Sequence, residues 1–99
     1  MREDTLGVIA RIKVRLAMLE EARRVLNALV EPTRAEPGCL QYLLLQNKED
    51  PTEFTFVEEW ENEAALTKHA DTEHVRRARA RFPELADEPM DLRKYTLVH

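Results

Sequence analysis

Glycine and cysteine are scarce in this chain of 99 residues, which contains only Gly7, Gly38 and Cys39 of these two types. A phosphate-binding loop needs several closely spaced glycines, so the sequence gives no basis for a flavin or nicotinamide site and we expect no cofactor. One cysteine cannot form an internal disulfide, and no apolar leader segment follows Met1, which predicts a cytoplasmic location. No apolar run approaches the roughly 20 residues of a membrane span, and we expect no insertion in a membrane.

A surplus of positive charge is also missing, because the formal net charge is −4. General nucleic-acid binding depends on Lys and Arg that neutralise phosphates, so we expect no nucleic-acid partner. The one basic cluster, residues 76–81, lies on the polar side of a predicted helix and has no aromatic residues between its arginines for base stacking. The length allows a single domain, residues 1–99, with a modest core.

Hydrophobic periodicity predicts the element order βαββαβ. The predicted strands are 6–15, 39–46, 53–60 and 90–98, and the predicted helices are 18–34 and 62–85. Pro32 should end or kink the first helix, and Thr72 should cap the second half of the second helix after a break near Asp71. The order is that of a ferredoxin-like α+β fold, an antiparallel sheet with its helices on one face.

The second strand carries apolar residues on both faces, since Leu40, Tyr42 and Leu44 alternate with Leu43 and Leu45. A monomer with its helix-free face bare would expose a larger apolar patch than the few hundred Å² that soluble monomers usually show. We therefore expect a homodimer packed sheet against sheet. A large apolar ligand groove in a monomer is the alternative.

Three segments resemble one known family. They are a Pro-Gly turn entering an apolar strand (36–42), a strand that ends in an acidic residue and Trp (58–60), and two histidines flanking Thr72 (69–74). Over residues 8–97 the chain resembles the antibiotic biosynthesis monooxygenase (ABM) domain, especially its quinol monooxygenase branch. The resemblance implies a homodimeric α+β barrel in which each subunit keeps its own pocket between sheet and helices.

The resemblance also implies a substrate pocket lined by Trp60, whose ring would stack on a flat aromatic substrate. Burial of Trp60 in the core is the alternative. Phe56 faces the same side of the strand by its period of two, and Tyr42 and Asn47 are further residues that could reach the pocket. The anthrone-oxidising type of the family has polar residues where this chain has Phe56 and Leu66, which weakens the match to that specialisation.

Two titratable residues are candidates for catalysis. Glu58 shares a strand face with large aromatic residues, which is unfavourable for a carboxylate unless it is paired, hydrogen-bonded or protonated; an ion pair with an arginine is the alternative. His69 follows Leu66 by three residues on the apolar stripe, and an unperturbed imidazole is mostly neutral at pH 7 and can accept a proton. A hydrogen-bonded core histidine would show the same pattern.

His74 matches the second histidine of the family and is a candidate for the edge of the pocket. On a continuous helix, five residues at ~100° each place His69 and His74 about 140° apart, and no HExxH motif is present, so we expect no bound metal. The family's substrate-contacting arginine falls near Ala80, so Arg79 or Arg81 is a candidate to face the pocket.

The predicted function is that of a cofactor-independent monooxygenase. Without metal or flavin, the substrate must supply the electrons: a base removes a phenolic proton, the anion passes an electron to O₂, and the radicals recombine. Small quinol- or anthrone-like aromatics permit this chemistry. An isomerase using the same base and pocket, or a non-catalytic dimeric ligand-binding or stress-response protein, remains an alternative.

Overall fold

The computed structural model describes all 99 residues, which form one four-stranded antiparallel sheet and the helices that cover it. The strands are β1 (Leu6–Lys13), β2 (Cys39–Gln46), β3 (Glu53–Trp60) and β4 (Asp91–Tyr95). The helices are α1 (Leu19–Asn27), α2 (Val30–Arg34), α3 (Glu63–Ala70) and α4 (Glu73–Leu85), with a 3₁₀ turn at Leu16–Met18. The sheet order is β2-β3-β1-β4, and the predicted ferredoxin-like βαββαβ fold is confirmed. None of these helices has the length and apolar character needed to cross a membrane.

The first predicted helix is interrupted earlier than expected. It forms α1 and α2, which are separated at Ala28 and Leu29, and Pro32 lies inside the first turn of α2. A proline in a helix clashes with the carbonyl four residues earlier, which is that of Ala28, while in a first turn its missing N–H needs no partner. Pro32 therefore does not end the helical segment, which continues to Arg34, and the predicted kink lies about one turn before the proline, at Ala28 and Leu29.

The predicted break in the second helical segment is confirmed. α3 begins after Asn62, whose side chain accepts a hydrogen bond from the Ala65 backbone N–H at 3.0 Å. α4 begins after Thr72, whose hydroxyl accepts from the Val75 N–H at 3.4 Å. The short residues Asn and Thr stabilise helix starts by satisfying backbone N–H groups that lack partners within the helix. The two helices therefore have separate axes.

The core lies between the sheet and the helices. Its buried strand residues include Val8, Ala10, Ile12, Tyr42, Phe54, Phe56 and Trp60, and its buried helical residues include Ala22, Leu26, Leu66, Ala78 and Leu85. The opposite side of the sheet, which we call the outer face, carries Ile9, Leu43, Leu45 and Val57, none of them fully buried. The period of two predicted this separation of the strands into two faces.

Leu40 departs from the predicted alternation of β2. The register shifts between Cys39 and Gln41, so Leu40 is the extra residue of a bulge and is 43% exposed. Cys39 takes its place opposite Trp60. A bulge sets two residues of one strand against one residue of its partner, and this reverses the alternation beyond it.

Gly38 fixes the turn before β2. Its φ is 87°, and a Cβ at this position would lie 2.6 Å from the Cβ of Ala65. Glycine is the residue that adopts positive φ readily and that permits so close an approach. The turn therefore packs directly on α3, which brings Glu36 next to that helix.

Candidate active site

A cavity of about 800 Å³ opens between the sheet, α3, α4 and the segment that leads to β4. Residues that line it include Tyr42, Phe56, Glu58, Leu66, His69 and Arg79. The volume is within the range of ligand-binding pockets, and a mostly apolar lining with a few polar groups is typical of them. Four of the predicted site residues, namely Tyr42, Phe56, Glu58 and His69, thus share one cavity.

Glu58 is a buried carboxyl group in the wall of this cavity, with 3% of its surface exposed. Its one hydrogen bond comes from Trp60 Nε1 at 2.8 Å, and its second oxygen has no protein partner but is not sealed from solvent. No arginine pairs with it, so the alternative of an ion pair is wrong. Burial raises the pKa of Glu58 to about 7, against the opposing effect of the Trp60 hydrogen bond. Near neutral pH the group can therefore accept or donate a proton.

Trp60 does not line the cavity. It is 0% exposed and lies in the core, with its ring centroid 4.7 Å from that of His69. Direct stacking of a ligand on Trp60, as the resemblance implied, is not available in this arrangement. The side chain instead supports the cavity from behind, because its indole N–H holds Glu58 and its ring packs on His69.

Tyr42 and Phe56 form an aromatic wall. Their ring centroids are 5.0 Å apart with an interplanar angle of 29°, a stacked arrangement. Burial, together with the negative charge of Glu58, raises the pKa of Tyr42 well above its usual value. Tyr42 therefore keeps its hydroxyl proton throughout the neutral range and can act only as a neutral hydrogen-bonding group.

His69, at the end of α3, joins the cavity to a buried carboxylate. Its Nδ1 lies 2.9 Å from Oε2 and 3.2 Å from Oε1 of Glu36. Its Nε2 has no protein hydrogen-bond partner and is not sealed from solvent. Burial lowers the pKa of His69 below its ordinary value of 6.5, although the bond to Glu36 opposes the shift. At neutral pH the imidazole is therefore neutral, and its Nε2 is free of protein hydrogen bonds.

His74 reaches the same carboxylate from α4. Its Nε2 lies 2.6 Å from Glu36 Oε2 and 3.3 Å from Thr72 Oγ1, and its ring centroid is 6.2 Å from that of His69. The expected separation of 140° was wrong, because it assumed one continuous helix and the break at Asp71–Thr72 redirects α4. His74 does not line the cavity and lies behind His69.

Glu36, His69 and His74, hereafter the Glu36 cluster, could hold a metal ion as judged by residue type. One ligand atom from each lies within 4.8 Å of the others, and histidine and carboxylate are common ligands of zinc. The distances from Glu36 Oε2 to His69 Nδ1 and His74 Nε2, 2.9 and 2.6 Å, are those of hydrogen bonds. The carboxylate thus serves both imidazoles as an acceptor in this structure.

Comparison with known proteins identifies the family of this chain. Residues 5–81 match the family model described as antibiotic biosynthesis monooxygenase. The chain belongs to the ABM family. It is 35% identical over 83 residues to a Bacillus subtilis protein named "Putative monooxygenase YcnE", covering 84% of this chain and 87% of that protein.

Two further similarities extend over nearly the whole ABM chain. The crystal structure of PA3566 from Pseudomonas aeruginosa superposes with a TM-score of 0.91 at 35% identity, covering 97% of this chain and 96% of the other. The Synechocystis sp. protein sll1783 is 30% identical over 95 residues, which is 96% of this chain. This chain spans 65% of the length of sll1783.

The structure also locates three further candidate residues of this ABM protein, namely Arg79, Arg81 and Asn47. Arg79 lines the cavity and donates from Nη2 to the Ala70 carbonyl at 3.0 Å, whereas Arg81 pairs with Glu84 and Glu21 outside it. Asn47, a predicted site residue, lies outside the cavity in the turn between β2 and β3, where it donates to Glu53 at 3.0 Å.

Glu36 is a residue of the candidate site that the sequence analysis missed. It belongs to the Pro-Gly motif that carried the family resemblance, but its side chain was not considered. Only the packing of the Gly38 turn on α3 shows that Glu36 meets His69, which is 33 positions away in the sequence. The signal available in the sequence was the position of an acidic residue, Glu36, directly before the Pro37-Gly38 turn.

Proposed function

We propose that this ABM protein is a monooxygenase that oxidises a small hydroxyaromatic substrate, quinol- or anthrone-like, with O₂ and without a cofactor. The observation that carries the proposal is one cavity of about 800 Å³ that joins an aromatic wall, Tyr42 and Phe56, to two proton-exchanging groups, Glu58 and His69. Family membership supports oxygenase chemistry, and relatives carry monooxygenase names.

His69 is the proposed proton acceptor. It is neutral at pH 7 because its pKa is lowered, and its Nε2 is free of protein partners. A phenolic O–H placed against Nε2 can transfer its proton within hydrogen-bond distance, as general-base catalysis requires. Glu58, with a pKa of about 7, can in its protonated form donate a hydrogen bond to the oxyanion that results.

The reaction balances without an external reductant. The phenolate passes one electron to O₂, and the resulting superoxide and substrate radical combine to form a C–O bond. The peroxide anion takes back the proton held by His69. The O–O bond then breaks as the hydrogen on the oxygenated carbon is lost as a proton and water leaves, so one oxygen atom enters the product and the other becomes water. For a hydroquinone or an anthrone, the substrate supplies all the electrons that reduce O₂. The apolar lining, including Leu66 and Phe56, keeps bulk water from the intermediates.

We also propose that a second copy of the chain covers the outer face of the sheet, as the apolar side chains Ile9, Leu43, Leu45 and Val57 favour. Leu45 is 50% exposed in the single chain, and two such faces packed together would remove it from water. We also propose that this homodimer is cytoplasmic, because its lone thiol, Cys39, would stay reduced there.

Oxygen consumption with a panel of hydroquinones, naphthols and anthrones tests the proposed reaction. We expect substrate-dependent O₂ uptake at one O₂ per product, and one ¹⁸O atom in the product when ¹⁸O₂ is used. As a control, the variant Asn47→Ala, which changes a residue outside the cavity, should keep full activity. Substrate conversion without O₂ uptake would support an isomerase, and saturable binding without turnover would support a binding protein; either result would overturn the proposed oxygenase.

A further inference from the structure

We infer that Glu36 is the positioning residue that makes His69 a base, by holding its imidazole in the tautomer whose open nitrogen faces the cavity. The inference rests on the proposed function. It starts from the two contacts between Glu36 and Nδ1 of His69, at 2.9 and 3.2 Å, which join the turn before β2 to the end of α3.

The tautomer follows from the chemistry of the two partners. An ionised carboxylate only accepts hydrogen bonds, so Nδ1 of His69 must carry the proton that it donates to Glu36. A neutral imidazole has one N–H, which leaves a lone pair on Nε2. In histidines generally, the hydrogen bond made by one ring nitrogen sets the state of the other. The nitrogen left open in His69 is the one without a protein partner, on a ring that lines the cavity.

Glu36 is itself held in place by other residues. Its side chain is 11% exposed, and His74 Nε2 donates to the same oxygen, Oε2, at 2.6 Å. Gly38, two residues on, packs against Ala65 of α3 and fixes the turn that carries the carboxylate. His74 therefore acts as a second anchor for Glu36 and needs no contact with substrate.

Proton transfer gives Glu36 a second effect. When the substrate O–H bond breaks and an N–H bond forms at Nε2, His69 becomes a cation beside the Glu36 carboxylate. Burial is the main cause that lowers the pKa of His69, the hydrogen bond and the charge of Glu36 raise it, and the charges of His74 and Arg79 lower it. Of the other titratable side chains, Tyr42 packs edge-on to the ring, and Glu58 lines the same cavity, where Trp60 donates to it. The carboxylate thus favours the protonated form that follows transfer.

Glu36→Gln removes the negative charge and keeps the shape of the side chain. We expect kcat/KM to fall by roughly 10²- to 10⁴-fold, between the losses seen when outer-shell partners of histidines and orienting carboxylates of catalytic imidazoles are replaced. The ascending limb of the pH profile should move to lower pH, because the pKa of His69 falls without the carboxylate. Glu31→Gln is the matched control: Glu31 lies in α2, is exposed and pairs only with Arg34. It should change neither quantity.

A readout that does not depend on turnover is ¹⁵N NMR of the His69 ring at pH 7.5. We expect protonated Nδ1 and unprotonated Nε2 in the wild type, and a weaker preference in Glu36→Gln, because the Gln amide can either accept from Nδ1 or donate to it. His74→Phe, which keeps the Glu36–His69 contact, should retain the wild-type tautomer and lose less than tenfold in kcat/KM.

Three results would overturn the inference. The first is a wild-type His69 that carries its proton on Nε2, a result that needs no variant to fold. The second is a folded Glu36→Gln with an unchanged tautomer and pH profile. The third is a stoichiometric metal in the purified wild type that is lost in Glu36→Gln, which would make the Glu36 cluster a metal site. Absence of O₂ uptake beside the expected tautomer would instead identify the proposed function as the part that failed.

Discussion

Trp60 Nε1 donates a hydrogen bond to Glu58 Oε1 over 2.8 Å, and it is the only hydrogen bond that the Glu58 side chain makes. The fully buried Trp60 thus holds one oxygen of the Glu58 carboxyl group, while the other oxygen has no protein partner. The bond lowers the pKa of Glu58, while burial raises it more strongly, to about 7. This pair sets the protonation state of the cavity wall near neutral pH.

Glu58→Gln should flatten the dependence of stability on pH between about 5 and 7.5. The folded-state pKa of about 7 exceeds the ordinary value of 4.5, so the folded protein keeps a proton that the unfolded chain has released. The retained proton stabilises the folded state. This stabilisation is fully present below the ordinary pKa and is lost as pH rises through the folded-state pKa. Across this pH range we expect the ionisation of Glu58 to lower the unfolding free energy of the wild type by on the order of 1–3 kcal/mol.

Urea unfolding of both proteins at pH 5 and pH 8 measures this effect. Glutamine keeps an oxygen that can accept from Trp60, so the variant isolates the ionisation. The decrease in unfolding free energy from pH 5 to pH 8 should be smaller in the variant. Equal decreases in the two proteins would show that Glu58 titrates normally.

Trp60→Phe should raise the pKa of Glu58 above about 7, because it removes the one hydrogen bond that favours the ionised form. Affinity for an aromatic ligand should change little, because Trp60 does not line the cavity. Titration of the Glu58 carboxyl by ¹³C NMR and a binding isotherm measure the two effects. A large loss of affinity in the folded variant, with no change in the pKa, would restore the interpretation that Trp60 stacks on the ligand.

Gly38→Ala should destabilise the protein by roughly 1–3 kcal/mol, since it forces a side chain into the left-handed region and against Ala65. Gly7→Ala is the control: its φ is not positive, its new Cβ would clash only with the flexible side chain of Met1, and the Tyr95 carbonyl oxygen would lie at an ordinary contact distance of 3.5 Å. Chemical denaturation of both variants gives the comparison. An equal effect of the two substitutions would contradict the role assigned to the Gly38 turn.

The proposed dimer predicts a particle of twice the 11.6 kDa chain mass in sedimentation equilibrium at micromolar concentration. Val57→Glu should shift this mass towards the monomer, because it places a charge in the middle of the outer face. Leu16→Glu, at an exposed leucine in the 3₁₀ turn and not on the outer face, should leave the mass unchanged. A stable wild-type monomer would show that the outer face is not a subunit interface.

The sequence was sufficient to predict the bounds of those elements whose hydrophobic periodicity is strong. The bounds of β2 and β3, and the break before α4, were predicted correctly because alternating apolar residues and the capping Thr72 are local signals. The cavity-facing positions of Phe56 and Glu58 follow from the same period.

The rest of the site depends on geometry that no local pattern contains. The meeting of His69 with His74 depends on the angle between α3 and α4, and the contact of Glu36 with both depends on the Gly38 turn. The burial of Trp60 behind the cavity depends on how the helices cover the end of β3. Sequence spacing alone therefore gave the candidates for the site but not their partners.

His69→Ala should lower kcat/KM by ~10²–10⁴-fold with the fold intact, which is the range for loss of a general base. Residual activity would then come from ionisation of the substrate itself. Circular dichroism and thermal melting check that the variant is folded. A folded variant that keeps most of its oxygenase activity would exclude His69 as the base.

The pH dependence of kcat/KM for O₂ uptake, in the wild type, His69→Ala and Glu58→Gln, distinguishes the two candidate bases most directly. If His69 is the base, the ascending limb lies below pH 6.5, because burial lowers the pKa of His69, and it persists in Glu58→Gln but not in His69→Ala. An ascending limb near pH 7 that disappears in Glu58→Gln and persists in His69→Ala would contradict this and assign the proton transfer to Glu58.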